Sequence, residues 1–266
     1  MLSDLGVRLM PRSIGPRSLR SGSIEKGWKP LARRHRFRPY NHAARVFNAT
    51  KTRRAVLLGI SILLGASLAA AVTVAPARIL AFGDSLTAGY GVPPGEAFPV
   101  RLQARLTQDG YPVQIANGGV SGDTSAGGLA RLDWALADKP DAVLVEFGAN
   151  DMLRGIDPKV TYDNLDRMIG RIVQSGAKVL LLGMKAPSNW GREYQQAFDA
   201  IFPALAEKYH VPLYPFFLDG VATDAALNQP DGLHPNPKGV ALIVERVSPY
   251  LERLLGSGAA SSGSGG

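Results

Sequence analysis

A serine hydroxyl becomes a useful nucleophile only with a base beside it and donors where an oxyanion will develop. The 266-residue chain offers each of these parts. Ser85 follows a tight Gly83-Asp84 turn off the apolar run Ile79–Phe82. His234 has Asp231 three residues upstream, in a loop framed by Gly232 and Pro235. That spacing lets a carboxylate hold one ring nitrogen and leaves the other free to take a proton. Gly122 offers a backbone N–H that no side chain shields, and Asn150 an amide that donates without competing as a base. Each residue alone has a plainer reading: Ser85 as a helix N-cap, Gly122 as a turn glycine, Asn150 as an Asx-turn, His234 as a surface residue beside a capping Asp231. Their coincidence in successive loops favours one acyl-transfer site.

The elements that must position these loops alternate. Short, continuous apolar runs occur at Ile79–Phe82, Val113–Ala116, Ala142–Phe147, Val179–Met184 and Pro212–Phe217, as in buried parallel strands. Helical stretches lie between them, at Phe98–Gln108, Leu129–Ala137, Thr161–Gln174 and Tyr194–Lys208. A last helix spans Pro237–Leu254, with apolar spacing at Val240, Ile243, Val244, Val247 and Leu251. This order predicts an α/β fold, a parallel sheet with helices on both faces and right-handed crossovers. Ligands bind such sheets beyond the carboxyl ends of the strands. The polar loops 83–91, 117–124 and 148–151 leave those ends, and 231–236 precedes the last helix, so all four converge on one mouth.

Other candidates have structural explanations. Asp84, Asp123 and Asp151 can accept loop N–H bonds or cap the helices that follow. A metal site built from them would need a second histidine, and the only other one in the body, His210, sits where a helix ends. No cofactor is called for: neither G-x-x-x-x-G-K-[ST] nor G-x-G-x-x-G follows the first strand. The body also lacks a G-x-S-x-G elbow. Trp190 and Tyr194, in the segment after the fourth strand, could line an acyl or aryl pocket or simply pack the loop. Tyr90 with Pro93 and Pro94 offers a second apolar rim.

Charge is distributed unevenly. The chain carries 30 Lys+Arg against 22 Asp+Glu and no cysteine, which excludes a disulfide framework or a thiolate nucleophile. Fourteen of the bases and two of the acids fall in residues 1–54, so the remaining residues are net acidic. The basic excess therefore gives no support for nucleic-acid binding by the body. Residues 55–77 contain no charge, follow Arg53-Arg54 and end in Ala75-Pro76-Ala77. That is the order of a secretory signal, although 23 uncharged residues could also anchor the chain in a bilayer. A signal places the body in the periplasm or outside the cell; a retained segment anchors it and is the only membrane contact expected. A basic flank of 54 residues is long for a signal, and a translation start nearer Val46 explains it better than an organelle transit peptide. Residues 256–266 read as a flexible Gly/Ser tail after a body spanning 78–255.

GDSL at 83–86, SGDT at 121–124, GAND at 148–151 and DGLHPN at 231–236 resemble, in order and spacing, the four blocks of the SGNH, or GDSL, hydrolases. SGDTSAGGLARL, VLVEFGANDMLRG and VPLYPFF resemble the bacterial arylesterase, acyl-CoA thioesterase and lysophospholipase branch. The resemblance implies a flavodoxin-like three-layer α/β/α sandwich with a five-stranded parallel sheet. It implies Ser85 as nucleophile, His234 as base and Asp231 as its partner. The Ser85 and Gly122 N–H groups and the Asn150 side chain would form the oxyanion hole. Short acyl or aryl esters are the expected substrates, with thioesters or lysophospholipids as further ones. Deacetylation of envelope carbohydrate and a non-catalytic ligand-binding module are the alternatives.

Overall fold

The computed structural model describes residues 75–256. The basic leader, all but the last residues of the uncharged segment, and the Gly/Ser tail after Gly256 lie outside the described residues. No helix among those described is long and apolar enough to cross a membrane.

Five strands form one sheet: β1 (Ala77–Gly83), β2 (Val113–Gly119), β3 (Ala142–Glu146), β4 (Lys178–Leu182) and β5 (Leu213–Tyr214). All pair in parallel, in the order β2-β1-β3-β4-β5, the flavodoxin-like winding. Helices cover both faces, giving three layers. They are α1 (Ser85–Ala88), α2 (Phe98–Gln108), α3 (Ser125–Ala135), α4 (Ala149–Leu153), α5 (Pro158–Gln174), α6 (Arg192–Asp199), α7 (Ile201–Tyr209) and α8 (Pro237–Leu255). α2 packs with α8, whereas α3, α5 and α7 pack in succession.

The central strands read as continuous apolar runs because both of their faces are covered. Every residue of β3 is buried, and so are Ile79–Gly83 of β1. Phe82, Phe98, Phe147, Phe198, Phe202 and Phe217 are the largest side chains with almost no exposure. The register aligns Gly119, Gly83, Glu146, Leu182 and Tyr214 in one row across the carboxyl edge. Four of the five chain segments leaving that row carry the polar loops or border them.

Proline explains two departures from the expected elements. The helix expected over Tyr194–Lys208 is two helices, α6 and α7, because Pro203 has no N–H to return to the Asp199 carbonyl. The strand expected over Pro212–Phe217 is paired only at Leu213–Tyr214, since Pro215 cannot donate to a ladder. β2 runs on to Gly119, three residues beyond its apolar stretch, and so draws Asn117-Gly118-Gly119 into the sheet.

Candidate active site

α1 puts Ser85 at the mouth. Asp84 caps the helix, its Oδ1 accepting the Leu86 N–H at 3.0 Å, so Ser85 opens the helix rather than capping it. The helix lies almost on the sheet. A Cβ on Gly83 would fall 2.2 Å from Thr87 Oγ1, and one on Gly119 2.2 Å from Ala88 N. No side chain fits at either position, and this close approach brings the serine down onto the strand ends.

His234 reaches the same point from 149 residues further along the chain. Its Nε2 lies 2.9 Å from Ser85 Oγ, and its Nδ1 2.6 Å from Asp231 Oδ2. Asp231 Oδ1 accepts the backbone N–H of Leu233 at 2.9 Å and of His234 at 3.0 Å. These bonds, led by the two from the backbone and joined by those of the imidazole, hold its carboxyl down at about 2. Asp231 is therefore ionised across the working range of any hydrolase at neutral pH. The Tyr90 ring leans against the imidazole at 4.6 Å between centroids.

Gln229 anchors the histidine loop. Its N–H donates to the His234 carbonyl at 2.8 Å, and its side-chain amide donates to Tyr90 O and Pro235 O. Asn236 then caps α8, accepting from Lys238 N and Gly239 N. The loop thus has fixed points on both sides of the imidazole.

The candidate oxyanion donors are held as firmly. Asn150 Nδ2 donates one hydrogen to Asp84 Oδ2 at 3.0 Å, which leaves the second free to point elsewhere. Gly122 has φ +86°, a left-handed conformation that favours glycine, and Arg154 Nη2 holds its carbonyl at 2.7 Å. Asp151 is fully buried and accepts the Ser125 N–H and hydroxyl and the Thr161 hydroxyl, tying α4 to α3 and α5. Arg131 reaches back from α3 to bond Asp123 Oδ2, Gly118 O and Gly83 O, at 2.7, 2.8 and 2.9 Å. Its guanidinium also lies over the Phe82 ring. One side chain therefore ties the ends of β1 and β2 to the Gly122 loop.

Ser85, His234 and Asp231 thus form one hydrogen-bonded line. Gly122 joins the surrounding network through Arg154 and Asn150 joins it through Asp84. Trp190 and Tyr194 belong to a different arrangement. Their rings are 5.3 Å apart and tilted, and Tyr194 stacks on Phe198. Tyr194 Oη donates to Ile156 O, and a Cβ on Gly155 would lie 3.2 Å from the Trp190 ring. Both side chains therefore brace residues 155–156, next to Arg154. His210 ends α7 with φ +52°, a left-handed C-cap. Arg131, Arg154 and Gln229 emerge only in three dimensions, and Glu146 leaves only a faint trace in the sequence.

Residues 81–242 match the model of the GDSL-like lipase/acylhydrolase family. The chain belongs to this family. It is 44% identical over 179 residues to the arylesterase of Vibrio mimicus, covering 67% of this chain and 90% of that protein. It is 38% identical over 178 residues to thioesterase 1/protease 1/lysophospholipase L1 of Escherichia coli K12, covering 66% of this chain and 84% of the relative. Among solved structures it is similar to TesA, with a TM-score of 0.64 and 41% identity over 66% of this chain and 99% of that one. Family and relatives make the chain an ester hydrolase of the SGNH type. Its substrates are small esters.

Proposed function

We propose that the chain is an exported serine esterase acting on short acyl or aryl carboxylic esters, with Ser85 as nucleophile. The observation that carries this is the continuous line Ser85 Oγ–His234 Nε2 and Nδ1–Asp231 Oδ2, at 2.9 and 2.6 Å. Ser85 attacks the ester carbonyl while His234 takes its proton, and the ionised Asp231 stabilises the imidazolium. The oxyanion is received by the Ser85 and Gly122 N–H groups and the free hydrogen of Asn150 Nδ2. Collapse of the tetrahedral intermediate expels the alcohol, protonated by His234. Water then repeats the sequence on the acyl-enzyme, and no metal or organic cofactor enters any step.

The preference for short or aromatic groups rests on apolar surface beside the imidazole: Tyr90 is 53% exposed and Leu233 50%. The arylesterase name of a relative 44% identical supports the same reading. Trp190, 39% exposed, and Tyr194 brace residues 155–156 and are assigned no part in the acyl pocket. Export rests on the uncharged, small-residue-terminated segment 55–77, which is also the only part of the chain assigned to a membrane. The experiment is hydrolysis of p-nitrophenyl and phenyl esters of increasing acyl length, beside lysophosphatidylcholine, an acyl-CoA and an acetylated sugar. The reading requires highest kcat/KM for acetate or butyrate esters and no turnover by Ser85→Ala. Retained turnover by that variant, or a preference for any of the other three substrates, overturns it.

A further inference from the structure

A carboxylic acid that the triad does not use lies against the turn that presents the nucleophile. Glu146 is the last residue of β3, is fully buried, and pairs across the sheet with Gly83. Its Oε2 accepts the Thr87 hydroxyl at 2.8 Å and the Asp84 N–H at 3.3 Å. Its Oε1 is buried with no hydrogen-bond partner. A carboxylate in that position would leave charge on an atom without donor or solvent, so the favoured form is the neutral acid.

Asp84, directly bonded to it, is fully buried as well. Asp84 Oδ1 accepts Leu86 N–H, and Oδ2 accepts one hydrogen of the Asn150 amide. This second bond sets the direction of the other amide hydrogen. We propose that Glu146 is a positioning residue for hydrolysis: as a neutral acid it holds Asp84, and through Asp84 the Asn150 amide, in the orientation that meets the oxyanion. The inference rests on the assignment of Asn150 as an oxyanion donor.

Simple packing does not explain the residue. The four positions before it in β3 are Ala142, Val143, Leu144 and Val145, and an apolar side chain would continue the run. The site is instead shaped around the carboxyl, since a Cβ on Gly83 would fall 2.5 Å from Oε2. The charged group facing Glu146 is Asp84. From β1 and α1 its other neighbours, Gly83 and Thr87, are uncharged. Arg131 reaches the same corner from α3 but spends its N–H groups on Asp123, Gly118 and Gly83. Burial, and then the charge of Asp84, push Glu146 well above the usual carboxylate range. Burial raises Asp84 to about 6, against the opposing bonds from Leu86 and Asn150.

The test compares E146A and E146Q with the wild type on p-nitrophenyl butyrate, with a melting curve and phosphonate titration of Ser85 for each. E146A is expected to lower kcat by about ten- to a hundredfold, with KM within about twofold, because a misplaced donor is missed chiefly in the transition state. E146Q keeps a neutral group of the same shape and is expected to recover most of that kcat. It should also remove any fall in kcat that ionisation of Glu146 imposes on the wild type as pH rises. Wild-type kcat in E146A, or E146Q as impaired as E146A with unchanged melting, overturns the proposal. Should E146A fail to fold, E146Q decides, and a kcat–pH profile identical to the wild type overturns the proposal. Turnover by Ser85→Ala would instead reject the hydrolytic assignment itself, so the two failures are separable.

Discussion

Asp231 grips His234 at two places: Oδ2 meets the ring at Nδ1, while Oδ1 accepts the backbone N–H of the same residue. Ring tautomer and loop conformation are therefore set by one carboxylate. Asp231→Asn should lower kcat by about 10³–10⁴-fold, because an amide in place of Oδ2 favours the wrong tautomer. KM should change little. Steady-state kinetics on p-nitrophenyl butyrate check this, with circular dichroism to show that the fold persists.

The same carboxylate gives an acid-limb prediction. Its folded value, about 2, lies below the ordinary 3.8, so its stabilisation is present above the ordinary value and is lost as pH falls from about 4 to about 2. Urea midpoints between pH 5 and pH 2 should fall more steeply for the wild type than for Asp231→Asn.

The buried pair beneath Ser85 acts in the opposite sense. Burial raises both Asp84 and Glu146 above the ordinary carboxylate range. A group with a raised folded value contributes stability below its ordinary range and loses it as pH rises through the folded value. For Asp84 that window runs from about 4 to about 6. Melting temperatures should therefore decline from about pH 4 to about pH 6. Glu146→Gln, which removes one titrating member and its effect on Asp84, should flatten the decline.

Asn150→Ala removes a proposed oxyanion donor and should cost about 10²–10³ in kcat, or about 2.7–4 kcal/mol of transition-state stabilisation. Substrate affinity should be nearly unchanged, since the ground-state carbonyl makes weaker use of that hydrogen. Active-site titration by a phosphonate should still label Ser85, at a lower rate.

Arg131 holds two strand ends and the Gly122 loop at once. Arg131→Lys keeps the charge, but one ammonium nitrogen cannot replace the three separate guanidinium nitrogens that meet Asp123, Gly118 and Gly83. A loss of about 2–3 kcal/mol, from charge-assisted bonds to carbonyls and Asp123, corresponds to a melting point lower by about 4–12 °C. Differential scanning calorimetry measures it. A melting point within a degree of the wild type would show that the clamp bears little.

Most of the site could be read from the chain because its members sit beside glycines and prolines at the ends of apolar runs. Ser85, Gly122, Asn150 and the Asp231–His234 pair each lie within a few residues of such a boundary. α2 was legible to the residue, its start fixed by Pro99 and its buried face by Phe98, Leu102 and Leu106. The supporting groups were harder. Arg131 looks like one more base on a helix, and its partners Gly118 and Gly83 are 13 and 48 residues away. Glu146 did leave a trace, a single acid closing an apolar strand four residues before Asn150, but the run around it reads as plain core. The division between α6 and α7 follows from Pro203, which the helical spacing of the flanking residues conceals.

The separation of 149 positions between Ser85 and His234 also bears on the order in which the molecule is made. A ribosome that has completed β1 through α4 has delivered the Ser85 hydroxyl and the candidate donors Gly122 and Asn150, but not yet His234. The imidazole arrives just ahead of α8, the final helix. On the triad assignment, chains that end before His234 should be inert towards esters, so hydrolytic competence would report that synthesis has passed the imidazole.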